Sequence, residues 1–99
     1  MIASFSIFPI GRGVSVGSEV AKAVKIVEDS GLPYRLTPMG TVIEGSWERV
    51  MGVIKRCRDR LRRDNERVYL TISIDDRKGA SGRIRKKVES VERRLGQLR

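Results

Sequence analysis

The side chains behind most enzymatic chemistry are scarce in this sequence. It contains no histidine, which removes Ser-His-Asp and Cys-His relays, an imidazole general base and His-ligated zinc. Its one cysteine, Cys57, excludes an internal disulfide and falls within what reads as the apolar face of a helix, where a thiol simply packs. Carboxylates are left. Glu44, Asp75 and Asp76 could offer oxygen ligands to calcium or magnesium, but adjacent aspartates at a strand end are ordinary loop residues. As a general base, Glu44 or Asp75 has no partner group in the sequence. Gly11-x-Gly13-x-x-x-Gly17 opens a helix after a strand, yet its spacing departs from the dinucleotide fingerprint and no P-loop Lys-Ser pair follows. The next strand ends at Thr37-Pro38 rather than at a ribose-binding acid. What survives is the capacity of a helix start to hold an anion through its free amides. This inventory predicts a binding protein rather than an enzyme, with no required cofactor and no metal.

The positioning frame must be small. Ninety-nine residues allow one domain, 1–99, and a chain of that length buries only about two-thirds of its unfolded surface, which leaves room for self-association. Hydrophobic residues make up 39% and charged residues 33%, a balance that suits a globular chain rather than a disordered one. No apolar run approaches the roughly 18 residues that cross a bilayer. The opening MIASFSIFPI lacks a basic n-region and a cleavage site, so it reads as a strand and not as a signal peptide. A cytoplasmic home is expected. The net charge is +9, and all of the excess lies in residues 55–99, since residues 1–54 carry five basic and five acidic side chains.

Period-two alternation over residues 2–10 predicts a half-buried strand with Ala3, Phe5 and Ile7 on one face and Ile2, Ser4, Ser6 and Phe8 on the other; Pro9 ends its ladder. Ser15 or Ser18 can cap a helix bearing Val20, Ala23, Val24 and Val27, which Ser30-Gly31-Leu32-Pro33 stops. Tyr34–Thr37 and Thr41–Glu44 form a hairpin around Pro38-Met39-Gly40, expected to be a type I turn closed by a left-handed glycine. Ser46 caps a second helix whose buried face should run through Trp47, Val50, Met51, Ile54, Cys57 (or Arg58) and Leu61. Val68–Asp75 is the clearest strand, and a last helix, capped by Ser81, follows a loop at Asp76–Ala80. The order β-α-β-β-α-β-α predicts an α+β, ferredoxin-like fold with an extra C-terminal helix, its four-stranded antiparallel sheet covered by helices on one face.

That arrangement leaves a bare sheet face of Ser4, Ser6, Phe8, Tyr69, Thr71, Ser73 and Asp75. Small hydroxyls and two aromatics make a flat surface that desolvates easily, suited to a second sheet or a small molecule. In the last helix Ile84, Val88, Val91, Leu95 and Leu98 step by four, three, four and three, the narrow seam of a helix–helix contact. Together they predict a homo-oligomer.

The stretch Leu36-Thr37-Pro38-Met39-Gly40-Thr41-Val42-Ile43-Glu44-Gly45 resembles the hairpin hallmark of the small, formerly uncharacterised thiamine-binding protein family. Pro9-Ile10-Gly11, Ser15-Val16 and Asp75-Asp76-Arg77 match its other landmarks, so the resemblance runs from Met1 to about Leu95. It implies a ferredoxin-like fold, dimers or a dimer of dimers (a homotetramer) built by sheet pairing and stacking, and binding of thiamine or its hydroxymethylpyrimidine moiety. The Arg-rich last helix is not part of the family pattern. With that ligand, Glu44 or Asp75 would accept from the pyrimidine amine and offset the positive ring. Thr37, Thr41, Ser4 and Ser6 would complete the polar contacts, and Phe8, Tyr34 or Tyr69 would stack. Gly40 and Gly45 are better explained by backbone angles. Glu44, a glutamate in a strand beside a helix entrance, is the leading candidate.

Nucleic acid is the competing partner, through the basic helices. An RNA-recognition domain shares this element order, but its signature needs aromatics on a central strand, and Thr41-Val42-Ile43-Glu44 has none. The basic residues of the two later helices are interleaved with Asp59, Asp64, Glu89 and Glu92, as on a solvated outer face.

Overall fold

The computed structural model describes residues 1–11, 13 and 16–99. The chain runs β1 (Ile2–Pro9), α1 (Gly17–Asp29), β2 (Tyr34–Thr37), β3 (Gly40–Glu44), α2 (Trp47–Arg62), β4 (Val68–Asp75) and α3 (Arg83–Leu98). The strands form one antiparallel sheet in the order β2-β3-β1-β4, the ferredoxin-like arrangement. Helices α1 and α2 each return the chain to a strand one place removed, with the same hand, and so lie on the same face.

Parity along the strands sorts the residues. On the covered face Ala3, Phe5, Ile7 and Ile43 are buried against Ala23 and Val27 of α1 and Val50, Val53, Ile54, Cys57 and Leu61 of α2. Burying each of the larger of these side chains contributes about 1.5–3 kcal/mol. The Cys57 thiol donates to the Ala23 carbonyl at 3.4 Å, and burial pushes its pKa up to about 11, so it is a packing group and a poor nucleophile. Val53 joins this core where the spacing suggested Trp47. The indole, at the first position of α2, lies too far toward the helix start to reach the sheet and is half exposed.

Local signals account for most boundaries. Gly31 has φ +76°, Leu32 packs into the core, and the Ser30 hydroxyl donates to the Val27 carbonyl at 2.6 Å to close α1. The Ser46 hydroxyl accepts from the Arg49 amide and opens α2 as expected. The start of α1 differs. Its N-cap is Val16 without a side-chain cap, Ser18 lies inside the helix, and Ser15 falls outside the described residues. Buried Glu19 of its first turn is instead tied to Lys22 at 2.7 Å and to Asn65, after α2, at 3.1 Å.

The hairpin loop is two residues, Pro38-Met39, and Gly40 already belongs to β3, paired with Thr37. Gly40 has φ +151°, outside the left-handed helical region expected of it. A Cβ there would meet the Phe5 carbonyl oxygen at 2.6 Å, so the close approach of two backbones requires glycine.

The opposite sheet face is not bare throughout. The first turns of α3 stand over one end of it, while residues 91–99 are all exposed and the molecule is drawn out to 48 × 31 × 20 Å. Ser81 does not cap α3: the N-cap is Gly82, at φ +64°, and no side chain of the cap residue bonds the helix.

Candidate ligand sites

The structure distributes the predicted site residues among three places. Ser6, Phe8, Thr37, Gly40 and Thr41 surround a cavity of about 300 Å³ between the hairpin tip and α1. It forms because the β1–β3 ladder ends at Phe5↔Thr41, after which the hairpin and β1 part. Val16, the N-cap of α1, and Val20 and Val24 within it supply the apolar wall, with Phe8 and Leu36 opposite. Thr41 is on the covered face, opposite Phe5, and is buried there; it does not share the open face with Ser6 and Phe8 but meets them around this gap. The Thr37 hydroxyl is already committed to the turn, accepting from the Met39 amide at 3.2 Å and donating to the Gly40 carbonyl at 2.8 Å. Pro38, Met39, Gly40, Thr41 and Val16, all within the segments that carry the family resemblance, line this one cavity.

Ser4 and Asp75 lie elsewhere, in a cavity of about 450 Å³ under α3. Its floor is the open sheet face at Ile2, Ser4, Val42 and Ser73, with Thr37 at its margin, and its wall is Ile84 and Val88. The ladder sets Ser4 directly between Val42 and Ser73. Arg35, opposite Val42, lines the same space and was not singled out from the sequence. The two-residue hairpin loop puts Arg35 on the Val42 face; counting back from that turn would have found it.

Tyr34 and Glu44 line a third, wider groove beside the start of α3. Tyr34 pairs with Ile43 on the covered-face parity, at the sheet edge, and is remote from Phe8. Glu44 is buried and its carboxylate is occupied: one oxygen accepts from the Arg83 amide at 2.9 Å and the other from the Ile84 amide at 3.4 Å. These are orphan amides of the first turn of α3, which carries no acid of its own. The leading sequence candidate for a ligand contact is therefore a cap supplied across 39 residues. Asp75 is similarly engaged, paired with the Arg83 guanidinium and, at 3.0 Å, with the Lys87 ammonium. The Arg83 hydrogen bond above all, then that of Lys87, lowers its pKa to about 2.

Away from α3 the open face ends in Phe8 and Tyr69, whose rings lie 5.6 Å apart at 30°. No cluster of three or more potential metal-ligating side chains occurs among the described residues. No helix of those residues is long and apolar enough to cross a membrane.

The similarities of the chain agree with this geometry. Residues 3–92 match the family model described as thiamine-binding protein. The UPF0045 protein Mb1933 of Mycobacterium bovis is 40% identical over 96 residues, covering 96% of this chain and 94% of that one. The Methanocaldococcus jannaschii protein MJ1052, of the same UPF0045 group, has a solved structure that is 31% identical, covers 92% of this chain and 94% of that one, and superposes with a TM-score of 0.86. A Thermotoga maritima protein provisionally assigned to thiamine biosynthesis or salvage shares the fold at 23% identity, with a TM-score of 0.80 over 91% of this chain and 96% of that one. With a match that spans nearly every element and a hairpin whose glycine is demanded by backbone contact, the chain belongs to the thiamine-binding protein family.

Proposed function

We propose that this chain is a single-domain, cytoplasmic protein that binds thiamine or its hydroxymethylpyrimidine moiety without catalysis, in the cavity between the hairpin tip and α1, and that it works as a homo-oligomer. The observation that carries the reading is the convergence there of Ser6, Phe8, Thr37, Gly40 and Thr41 within about 300 Å³. That volume lies at the lower end for small-molecule sites and suits one substituted pyrimidine ring. Valine side chains from α1 and the Phe8 ring offer apolar faces, and the hydroxyls of Ser6 and Thr41 offer donors and acceptors for the ring nitrogens and amine. Gly40 fixes how near the hairpin stands to β1, and with it the width of the slot.

A binding role without turnover fits the state of the carboxylates. Glu44 is spent on backbone amides and Asp75, with its pKa near 2, is a poor base at neutral pH. Self-association would use the apolar groups left unpaired at the far end: Val91, Leu95 and Leu98 of α3, and the Phe8–Tyr69 pair on the sheet.

Calorimetric titration with thiamine and with hydroxymethylpyrimidine tests the reading. Saturable binding at micromolar Kd or tighter, near −8 kcal/mol, is expected. Thr41→Val and Ser6→Ala should each weaken it by about fivefold. Heat-silent titrations with both compounds, on folded protein, would remove the ligand assignment. For assembly, a Val91→Asp/Leu95→Asp variant should lower the solution mass; an unchanged mass would restrict the seam to contacts within one chain.

A further inference from the structure

The cavity under α3 is chemically unlike the one at the hairpin tip. Its floor is apolar with hydroxyls at Ser4 and Ser73, but its rim is cationic: Arg35, Arg83 and Lys87 face it, against Asp75 alone. Arg83 and Lys87 also line a second hollow of about 500 Å³ on the outer side of the α3 start, whose other charged residues are Arg77, Lys78 and Lys86. The two spaces thus adjoin at Arg83 and Lys87. Together they gather six cations and one carboxylate, and that carboxylate is already shared by Arg83 and Lys87. Two further acids act on Arg83 from outside both linings: Glu44, bound to the α3 amides, and Asp76. Among the described residues, Arg35, Arg77, Lys78 and Lys86 form no ion pair with a carboxylate.

Six basic groups elsewhere behave differently. Lys22, Lys25, Lys55, Arg58, Arg60 and Arg85 have carboxylate partners on their own or neighbouring turns. Cations held close together without counter-charge raise one another's energy, and an anion between them removes that cost. Arg83 and Lys87 are further fixed in place by Asp75, and each keeps donors that Asp75 does not use.

We infer that this region is a second ligand site, distinct from the pyrimidine cavity, for a phosphorylated small molecule: its flat, largely apolar body lies on Ser4, Val42 and Ser73 under Ile84 and Val88, and its phosphoryl groups reach past Arg83 and Lys87 to Arg77, Lys78 and Lys86. The apolar floor distinguishes it from a site for a free anion. The apolar side chains of Ile84 and Val88 beside that floor offer a ligand body contacts that the backbone of a polyanion would not use.

The test is calorimetric, on the intact protein at about 0.1 M salt, where exposed charges are screened beyond about 10 Å. Adenosine diphosphate, thiamine diphosphate and inorganic pyrophosphate are the probes, with R77A/K78A/K86A and S73F as variants. At least one of the two organic diphosphates should bind about tenfold or more tightly than pyrophosphate, since only they fill both parts. The triple variant should weaken that binding by about tenfold or more, while S73F, which fills the floor, should remove the advantage over pyrophosphate. Thr41→Val, in the other cavity, should leave adenosine diphosphate binding unchanged. Pyrophosphate binding as tightly as both organic probes would overturn the proposal, as would binding indifferent to both variants or no saturable binding at all. An unstructured RNA oligomer that binds more tightly than either probe, and loses its affinity in the triple variant but not in S73F, would overturn it in favour of a nucleic-acid backbone. Loss of thiamine binding alone would touch only the pyrimidine cavity.

Discussion

Helices α2 and α3 have the same length, 16 residues each, and opposite relations to the rest of the chain. Helix α2 carries its own instructions. Ser46 caps it, Glu48 sits in its first turn, and Val50, Val53, Ile54, Cys57 and Leu61 bury its inner face. Helix α3 has a left-handed glycine for a cap, no acid in its first turn and no buried residue, although its apolar seam is as regular. Its N-terminus is held by groups from elsewhere, Glu44 on its amides and Asp75 on Arg83 and Lys87. The difference teaches that a periodic apolar stripe says a helix will bury something, and not that its own core is the thing buried. Stability is built in by α2; α3 is attached at one end and leaves most of its surface exposed.

Truncation in the two seams should separate them most. Leu61→Ala is expected to cost about 2–5 kcal/mol, because the cavity it leaves in the core cannot fully collapse. Leu95→Ala, at an exposed position, should change the unfolding free energy of the dissociated chain by less than about 0.5 kcal/mol. Chemical denaturation measured at low protein concentration checks both, and a large effect of Leu95→Ala there would mean that α3 packs on its own domain.

Removing the caps is the next largest effect. Glu44→Ala should cost about 1–2 kcal/mol, while Ser46→Ala should cost about 1 kcal/mol. The distribution is more telling than the size. The Glu44 variant should raise amide exchange throughout α3 and leave α2 protected, whereas the Ser46 variant should affect the first turn of α2 and not α3. Equal exchange in α3 with and without the Glu44 carboxylate would dissolve the idea of a borrowed cap.

Acid should produce the smallest effect, again on α3 alone. The pKa of Asp75 in the folded chain, about 2, lies below its ordinary value of 3.8. Its pairing with Arg83 and Lys87 therefore contributes fully above the ordinary value and is lost as the pH falls from about 3.8 toward 2. Both partners stay charged across that window, so protonation of Asp75 leaves two cations facing each other. Exchange in the first two turns of α3 should quicken over this range in the wild type and be already fast, with little pH response, in Asp75→Asn.

Much of the fold could be read directly from residues. Val68–Asp75 alternates with the period of a pleat, and Ser30-Gly31-Leu32-Pro33 stops a helix by chemistry contained in one turn. The hairpin hallmark led to the right family, and its Gly40 proved to answer to a backbone contact with β1. Parity also put Ser4, Ser6, Phe8 and Asp75 on the open face correctly. The candidate site was less legible. Thr41 was grouped with open-face residues although the register turns it inward, and Tyr34 was offered beside Phe8 as a stacking ring although it lies on edge strand β2, two strands away from Phe8 on β1.

By itself, then, the order of residues determined the element order, the buried stripe of α2 and the two faces of each strand. These follow from periodicities of 2 and 3.6 and from caps that act within a few residues. Tertiary structure decided what the chemically active groups do. Glu44 meets the α3 amides from 39 residues away, Arg35 comes to face Arg83 and Lys87 across the sheet, and Ser6, Phe8 and Thr41 meet only where β1 and the hairpin diverge. No local period encodes such meetings, because each depends on strand register and helix docking acting together over long separations in the chain.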